Sequence, residues 1–225
     1  MAQAFDKVWH QGLLFKLKSI FPPYYYLLFK SYLKDRNLVV RSGSALSEIN
    51  PIHAGVPQGA VVAPLLFNLY ISDQPTTNHT ITGDFADDKA IMAFNSDPEI
   101  APNHIQVHLN LLQTWYKDCG IKINESKLAH YTFTLRPRNC PTITLNNLPI
   151  TPTQNVRYLG LYLDRRLTWA HHIHTKRIAL NNRSRQLRLL LTSKHINLNN
   201  KILIYKLLLK SVWSYGIQLW GSAKP

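Results

Sequence analysis

The N-terminal stretch repeats apolar positions at helical rather than strand spacing. After Val8-Trp9-His10, Leu13, Leu14, Leu17, Ile20 and Phe21 recur at intervals suited to one face of a helix. Pro22-Pro23 interrupts the pattern, and residues 24–33 predict a second helix that starts at the prolines with Tyr24, Tyr25 and Tyr26 as buried rings. Short strands are expected at 38–41 and 49–53. A Gly/Pro loop beginning at Gly55 then runs into an apolar helix.

Residues 81–85 and 90–94 are short apolar runs that can pair as a hairpin, with Asp87 and Asp88 held at its tip. From 98 to 117 the pattern turns helical, with Ile105, Leu109, Leu112 and Tyr116 on one stripe. Strands are expected at 121–123, 129–135, 142–145 and 156–163. Helices are expected from Thr168 to about Lys194 and from Asn199 to about Leu209. The fold class is therefore α+β, with strands and helices first and a helical end second.

Charge divides the chain unevenly. Lys and Arg number 26 against 12 Asp and Glu, a net charge of +14 that suggests a polyanionic partner. From Arg157 onward there are 13 basic residues and a single acid, Asp164, giving +12, whereas the preceding 156 residues carry only +2. Trp169, Trp213, Tyr205 and Tyr215 lie in that basic region, which suits a surface that grips phosphates and stacks on bases. Arg183, Arg185 and Arg188 are the expected phosphate contacts, against the alternative of a solvated face packed through arginine stems.

Other chemistry is poorly supported. Cys119 and Cys140 lack paired spacing, which argues against a disulfide framework or zinc knuckle and for a reducing compartment. No apolar run reaches membrane-spanning length, and the start lacks the pattern of a signal peptide. His171, His172 and His174 read as a solvated helix face. His104 and His108 lie one helical turn apart without the intervening Glu of a metalloprotease motif. Adjacent carboxylates such as Asp87 and Asp88 repel each other, and a hard divalent cation relieves that repulsion.

Five blocks occur in a telling order: Ala4-Phe5-Asp6, Gly55-Val56-Pro57-Gln58-Gly59, Phe85-Ala86-Asp87-Asp88, Asn124-Glu125-Ser126-Lys127 and Tyr158-Leu159-Gly160. Together they resemble the reverse transcriptase of a jockey-like non-LTR retrotransposon, and the closing Lys210-Ser211-Val212-Trp213-Ser214-Tyr215-Gly216-Ile217-Gln218-Leu219-Trp220-Gly221 is similar to the tail of that polymerase region. The resemblance implies a partial polymerase palm over residues 1–165, an antiparallel sheet with packed helices, and a basic helical thumb over 166–225. It also implies RNA-directed DNA polymerase activity by two-metal nucleotidyl transfer, with two Mg2+ (or Mn2+) ions, an RNA template, a DNA primer and dNTPs.

On the same basis Asp87 and Asp88 match the paired metal ligands, and Lys127 matches a lysine near the phosphates. Phe5 matches the residue that screens the sugar 2′ position, and Gln58 and Gly59 match the loop against nucleotide and template. Tyr158, Leu159 and Gly160 match the primer grip. The family's first metal-binding carboxylate stands five residues before the position of Phe5, which is the position just before Met1, and the fingers precede it. Asp6 is expected to point away from the site by strand alternation. Lys89 is expected to pair with the acidic turn and weaken metal binding, and the Ala63 methyl to crowd the loop.

The isolated chain is therefore expected to be inactive unless translated within a longer polypeptide. The alternatives are a non-catalytic nucleic-acid-binding remnant and an open reading frame without selected function. Residence in the nucleus, the cytoplasm or both is expected. Nothing in the residues bears on oligomeric state.

Overall fold

In the computed structural model, which describes residues 5–57, 59–135 and 140–223, helices alternate with short antiparallel strand pairs. Two compact units result: Met1–Leu128 with Asn139–Ile150, and Ala129–Arg138 with Thr151–Pro225.

The first unit opens with a single 3-10 turn, Phe5–Lys7. Helices α1 (His10–Ile20) and α2 (Pro23–Leu33) follow, the latter with proline in its first turn, where the missing N–H costs nothing. Strand β1 (Asn37–Leu38) pairs with β4 (Asn50–Pro51), and between them β2 (Arg41–Ser42) pairs with β3 (Ala45–Leu46). Helix α3 (Ala63–Ile71), the hairpin of β5 (Ile81–Phe85) and β6 (Asp88–Met92), and α4 (Ile100–Asp118) come next. A 3-10 turn at Glu125–Lys127 and the pair β7 (Thr144–Leu145) and β8 (Leu148–Pro149) complete it.

Its main core joins Val8, Leu13 and Leu17 to Leu66, Phe67 and Tyr70, all 1% exposed or less, with Cys119 beside them. Leu13 and Leu17 stand one turn apart on α1, as do Leu66 and Tyr70 on α3, so each helix contributes one face. Lys16 stitches the helices together. Its Nζ donates to the Tyr70 carbonyl (2.7 Å), pairs with Asp73 (2.6 Å) and lies 5.1 Å from the Trp115 ring, whose indole N–H also reaches Asp73 (3.2 Å). Burial pushes the Tyr70 phenol up to about 12, and its hydroxyl donates to the Cys119 carbonyl. A second cluster gathers Leu109, Ile143, Leu145 and Ile150, with Ile91, Ile105 and Leu128 packed against it.

The second unit contains the hairpin of β9 (Asn155–Tyr158) and β10 (Leu161–Asp164). Helices α5 (Ala170–Gln186), α6 (Arg188–Thr192) and α7 (Leu198–Ile204) follow, then a π-helical run Tyr205–Lys210, α8 (Ser211–Ser214) and α9 (Ile217–Trp220). The single acid of the basic region, Asp164, organises the entry to α5. It accepts from the Thr168 and Trp169 amides (2.9 and 2.7 Å), and these donors outweigh burial and hold its carboxyl below the usual range.

Several expectations change. The strand expected at 156–163 is a hairpin, because Leu159 and Gly160 both adopt positive φ (46° and 78°) and reverse the chain. Residues 121–123 do not form a strand, since the Ile121 amide is taken by the Tyr116 carbonyl (2.8 Å) in closing α4. In 129–135 the pairing is limited to one parallel bridge, His130 with Pro152. The strands at 38–41 and 49–53 shrink to two-residue pieces. Among the described residues all five strand pairs remain two-stranded, so the α+β class holds in a piecemeal form. Tyr24 and Tyr25 are exposed rather than buried, their rings in mutual contact at 4.2 Å. Both cysteines are free, and no helix among the described residues is long and apolar enough to cross a membrane.

Replacing the fully buried Leu66 by Ala should lower the unfolding free energy by about 2–5 kcal/mol, whereas Val61→Ala, at a side chain 96% exposed, should change it by less than about 0.5 kcal/mol. Urea titration of both variants checks the pair; equal effects would mean that α3 does not sit in the core.

Candidate functional site

The β5–β6 hairpin sorts its side chains by register. Phe85 pairs with Asp88 and Asp84 with Lys89, so the connecting turn is only Ala86-Asp87. The second strand starts at Asp88 rather than at Ala90. Ala86 takes φ +52°, a conformation that favours glycine and persists only where the surroundings enforce it. Asp87 is thereby placed in the turn itself, while Asp88 emerges on the face that carries the exposed Ile81, Phe85 and Met92.

The opposite face looks inward. There Lys89 binds the Asp84 carboxylate at 2.5 Å and also donates to the Gln74 side-chain carbonyl, while the Gln74 amide donates to Asp84 (2.6 Å). Ile91, two residues on, packs against the second apolar cluster. Lys89 is therefore paired across the strand with Asp84, not with the acidic turn as expected, because alternation puts it on the other side of the ribbon from Asp88. Asp84 and Gln74 escaped sequence reading. Counting outward from a two-residue turn would have found the Asp84–Lys89 pair.

The other expected residues fall as follows. Phe5 stacks on Phe67 with ring centroids 4.5 Å apart, at the margin of the main core. Phe5–Lys7 is a 3-10 turn rather than a strand, so alternation does not govern Asp6. The turn is held against the Gly/Pro loop by Val56 N–H to the Phe5 carbonyl, Gly55 N–H to the Val8 carbonyl (both 2.8 Å), and a His10 Nε2 to Gly55 carbonyl contact of 2.7 Å. Gln58 lies outside the described residues. Gly59 stands exposed with φ +83° and open space around it. The Ala63 methyl is 2% exposed and points into the core, so it does not crowd the loop. Lys127 is exposed on its 3-10 turn, and its neighbour Leu128 packs on the same apolar cluster as Ile91. That cluster links the acidic hairpin to the Lys127 segment.

Within the second unit, Tyr158, Leu159 and Gly160 form the β9–β10 turn, and Arg183, Arg185 and Arg188 are exposed at the end of α5 and the start of α6. Helical rotation separates the arginines: Arg185 and Arg188, three apart, share a face that Arg183 does not.

The histidines behave differently from expectation. His172 is fully buried, not solvated, and its Nδ1 accepts from the Tyr162 amide (3.2 Å) with the Trp220 ring at 5.7 Å. His108 is buried too, between Thr80 Oγ1 (2.6 Å) and the Pro75 carbonyl (3.0 Å). Burial lowers the pKa of His108, His130 and His172. Among the described residues no three metal-ligating side chains gather at one place.

Comparison with known proteins fits this geometry. The profile of the reverse transcriptase (RNA-dependent DNA polymerase) family matches residues 1–163, and the chain belongs to that family. It is 37% identical over 98% of its length to the RNA-directed DNA polymerase from mobile element jockey of Drosophila melanogaster. It is 38% identical over 98% of its length to the probable RNA-directed DNA polymerase from transposon X-element, and 36% over 99% to that from transposon BS, both of the same organism. The chain spans about a quarter of the length of these curated relatives (25%, 25% and 26%).

The three buried histidines generate a pH prediction. In the fold their neutral forms are favoured, while the unfolded chain takes up protons near the ordinary value of 6.5, so stability falls as pH drops through that value toward the lowered folded ones. Urea unfolding should give a constant free energy above about pH 7.5 and a declining one below about pH 6.5, with a shallower decline in His172→Phe. A flat profile down to pH 5 would refute this.

Proposed function

We propose that this chain is the acidic-turn and basic helical portion of a mobile element's RNA-directed DNA polymerase, a partial palm followed by a thumb-like helical region. The observation that carries the proposal is the two-residue β5–β6 turn, which presents Asp87 and Asp88 together while Lys89 is consumed by Asp84 on the other face. A neighbouring lysine left free would cancel the charge that a cation needs.

Asp87 and Asp88 are the residues that would hold Mg2+ or Mn2+. Adjacent carboxylate oxygens suit hard divalent cations. Two such ions, when bound, supply Lewis acidity toward the primer 3′-hydroxyl and the triphosphate. The chain's own residues do the rest. Lys127 offers a point charge to phosphate oxygens, the Gly59 backbone lies open to a nucleotide, and Phe5, braced by Phe67, excludes a 2′-hydroxyl. The Tyr158-Leu159-Gly160 turn contacts the primer, and Arg183, Arg185 and Arg188 neutralise template or primer phosphates. Substrates are an RNA template, a DNA primer and dNTPs.

The 225 residues supply two of the three carboxylates that the resemblance calls for. Alone they are proposed to bind nucleic acid without extending it, and the +12 charge from Arg157 onward favours that binding.

The test is primer extension on an RNA template with Mg2+ or Mn2+. The isolated chain should incorporate no dNTP above background. A version extended upstream with the family's aspartate and fingers should incorporate it, and Asp87→Asn with Asp88→Asn should return it to background. Incorporation that survives the double substitution would overturn the site assignment. Separately, affinity of the isolated chain for an RNA:DNA hybrid should fall about tenfold or more between 50 and 200 mM salt; an affinity indifferent to salt would refute phosphate contact.

A further inference from the structure

The closing block from Ser211 to Gly221 lies in the thumb-like region and is built onto the β9–β10 turn. The Tyr215 hydroxyl donates to the Leu159 carbonyl at 2.7 Å. A Cβ on Gly160 would meet the Tyr215 ring at 3.3 Å, and one on Gly216 would meet Leu161 Cδ2 at 2.8 Å. Trp220 fixes Tyr215 in turn, its indole N–H donating to the Tyr215 carbonyl at 3.0 Å. The Trp220 ring lies 5.7 Å from that of His172, which takes the Tyr162 amide of β10. Lys176 Nζ sits 5.4 Å above the Tyr215 ring. One block therefore touches both the turn and the strand that leaves it.

The carbonyl that Tyr215 holds belongs to the central peptide of a two-residue turn. With positive φ at both Leu159 and Gly160 the turn is of type I′; rotating that central peptide by half a turn gives type II′, in which only Leu159 keeps positive φ. Glycine at 160 permits either. Leucine at φ +46° is tolerated in type I′ and disfavoured in type II′, which wants glycine at that first central position, so local preference leans toward type I′. A hydroxyl fixed on the Leu159 oxygen reinforces that preference and fixes the peptide's orientation, because any rotation of the central peptide would carry that oxygen away from it.

We propose that Tyr215 is a positioning residue for the primer-contacting turn: through its hydrogen bond to Leu159 it locks the turn in the type I′ state that presents Tyr158, Leu159 and Gly160 to the primer end. This deepens the functional reading given above and rests on its assignment of that turn to the primer. The brace itself rests only on the contacts within the second unit.

The test uses the 225-residue chain, Tyr215→Phe, and Tyr32→Phe as an exposed control in the first unit. Affinity is measured by fluorescence anisotropy for an RNA:DNA hybrid with a recessed DNA 3′ end and for a blunt hybrid of the same sequence. The Gly160 amide resonance reports the peptide, and a thermal midpoint reports the fold. Expected is a loss of about fivefold for the recessed hybrid alone in Tyr215→Phe, the value of one hydrogen bond. The Gly160 resonance should shift, the midpoint should hold, and Tyr32→Phe should match the parent. Gly160→Ala, whose methyl presses on the Tyr215 ring, should give the same selective loss, and the double variant should add little to either.

An unchanged Gly160 resonance and unchanged affinity in Tyr215→Phe would overturn the proposal, as would equal weakening on both hybrids with a lowered midpoint. If the parent chain does not prefer the recessed hybrid, the primer assignment fails, and the positioning role fails with it. The Gly160 resonance then still shows whether Tyr215 sets the turn.

Discussion

Helix α3 has to be covered, and the first unit is arranged around that requirement. Five of its nine residues are buried, and the single hydrogen-bonding side chain among those five, that of Tyr70, donates its hydroxyl to the Cys119 carbonyl. α1 supplies Leu13 and Leu17 against it, Phe5 stacks on its Phe67, and the end of α4 brings Cys119 to the Tyr70 hydroxyl. The enclosure also explains Lys16. Its side chain is only 14% exposed, so its charge has to be paired where it lies, and Asp73 with the Tyr70 carbonyl does this. The Gly/Pro loop that opens α3 is tied at Gly55 and Val56 by its backbone to Val8 and Phe5.

Carboxylates are sorted by what faces them. On the β5–β6 ribbon, Asp84 is neutralised by Lys89 and serves the hairpin, while Asp87 lies in the turn and Asp88 starts the second strand on the opposite face. Asp164 in the basic region follows the first pattern, its oxygens taken up by backbone donors at the entry to α5. The same division explains why Lys89 turns to Asp84 and not to its neighbour Asp88: in a strand, adjacent residues face opposite ways.

Much of this was legible beforehand, for identifiable reasons. Helices α1, α2 and α4 announce themselves through apolar positions at spacings of three and four, and their bounds came out within a few residues. The five motif blocks identified the family, which the match over residues 1–163 bears out. Strands were harder. A two-residue piece such as β2 has no period to detect, and residues 121–123 read as a strand although Ile121 is spent on closing α4. His172 was misread because a histidine beside two exposed ones on a helix gives no sign of the aromatic rings that cover it. Lys89 was misassigned because proximity in sequence was weighed above strand alternation.

The sequence by itself determined the family, the mixed class of the fold, the basic character of the C-terminal region and the identity of the acidic pair, because these depend on residue type, order and local periodicity. Tertiary structure decided which side chains meet which. Whether Lys89 meets Asp84 or Asp88, whether Ala63 faces the core or the loop, and whether Leu159 is held by a tyrosine 56 positions away all turn on register and on contacts distant in sequence. Local patterns cannot encode such contacts, since a strand shifted by one residue keeps its composition and reverses every face.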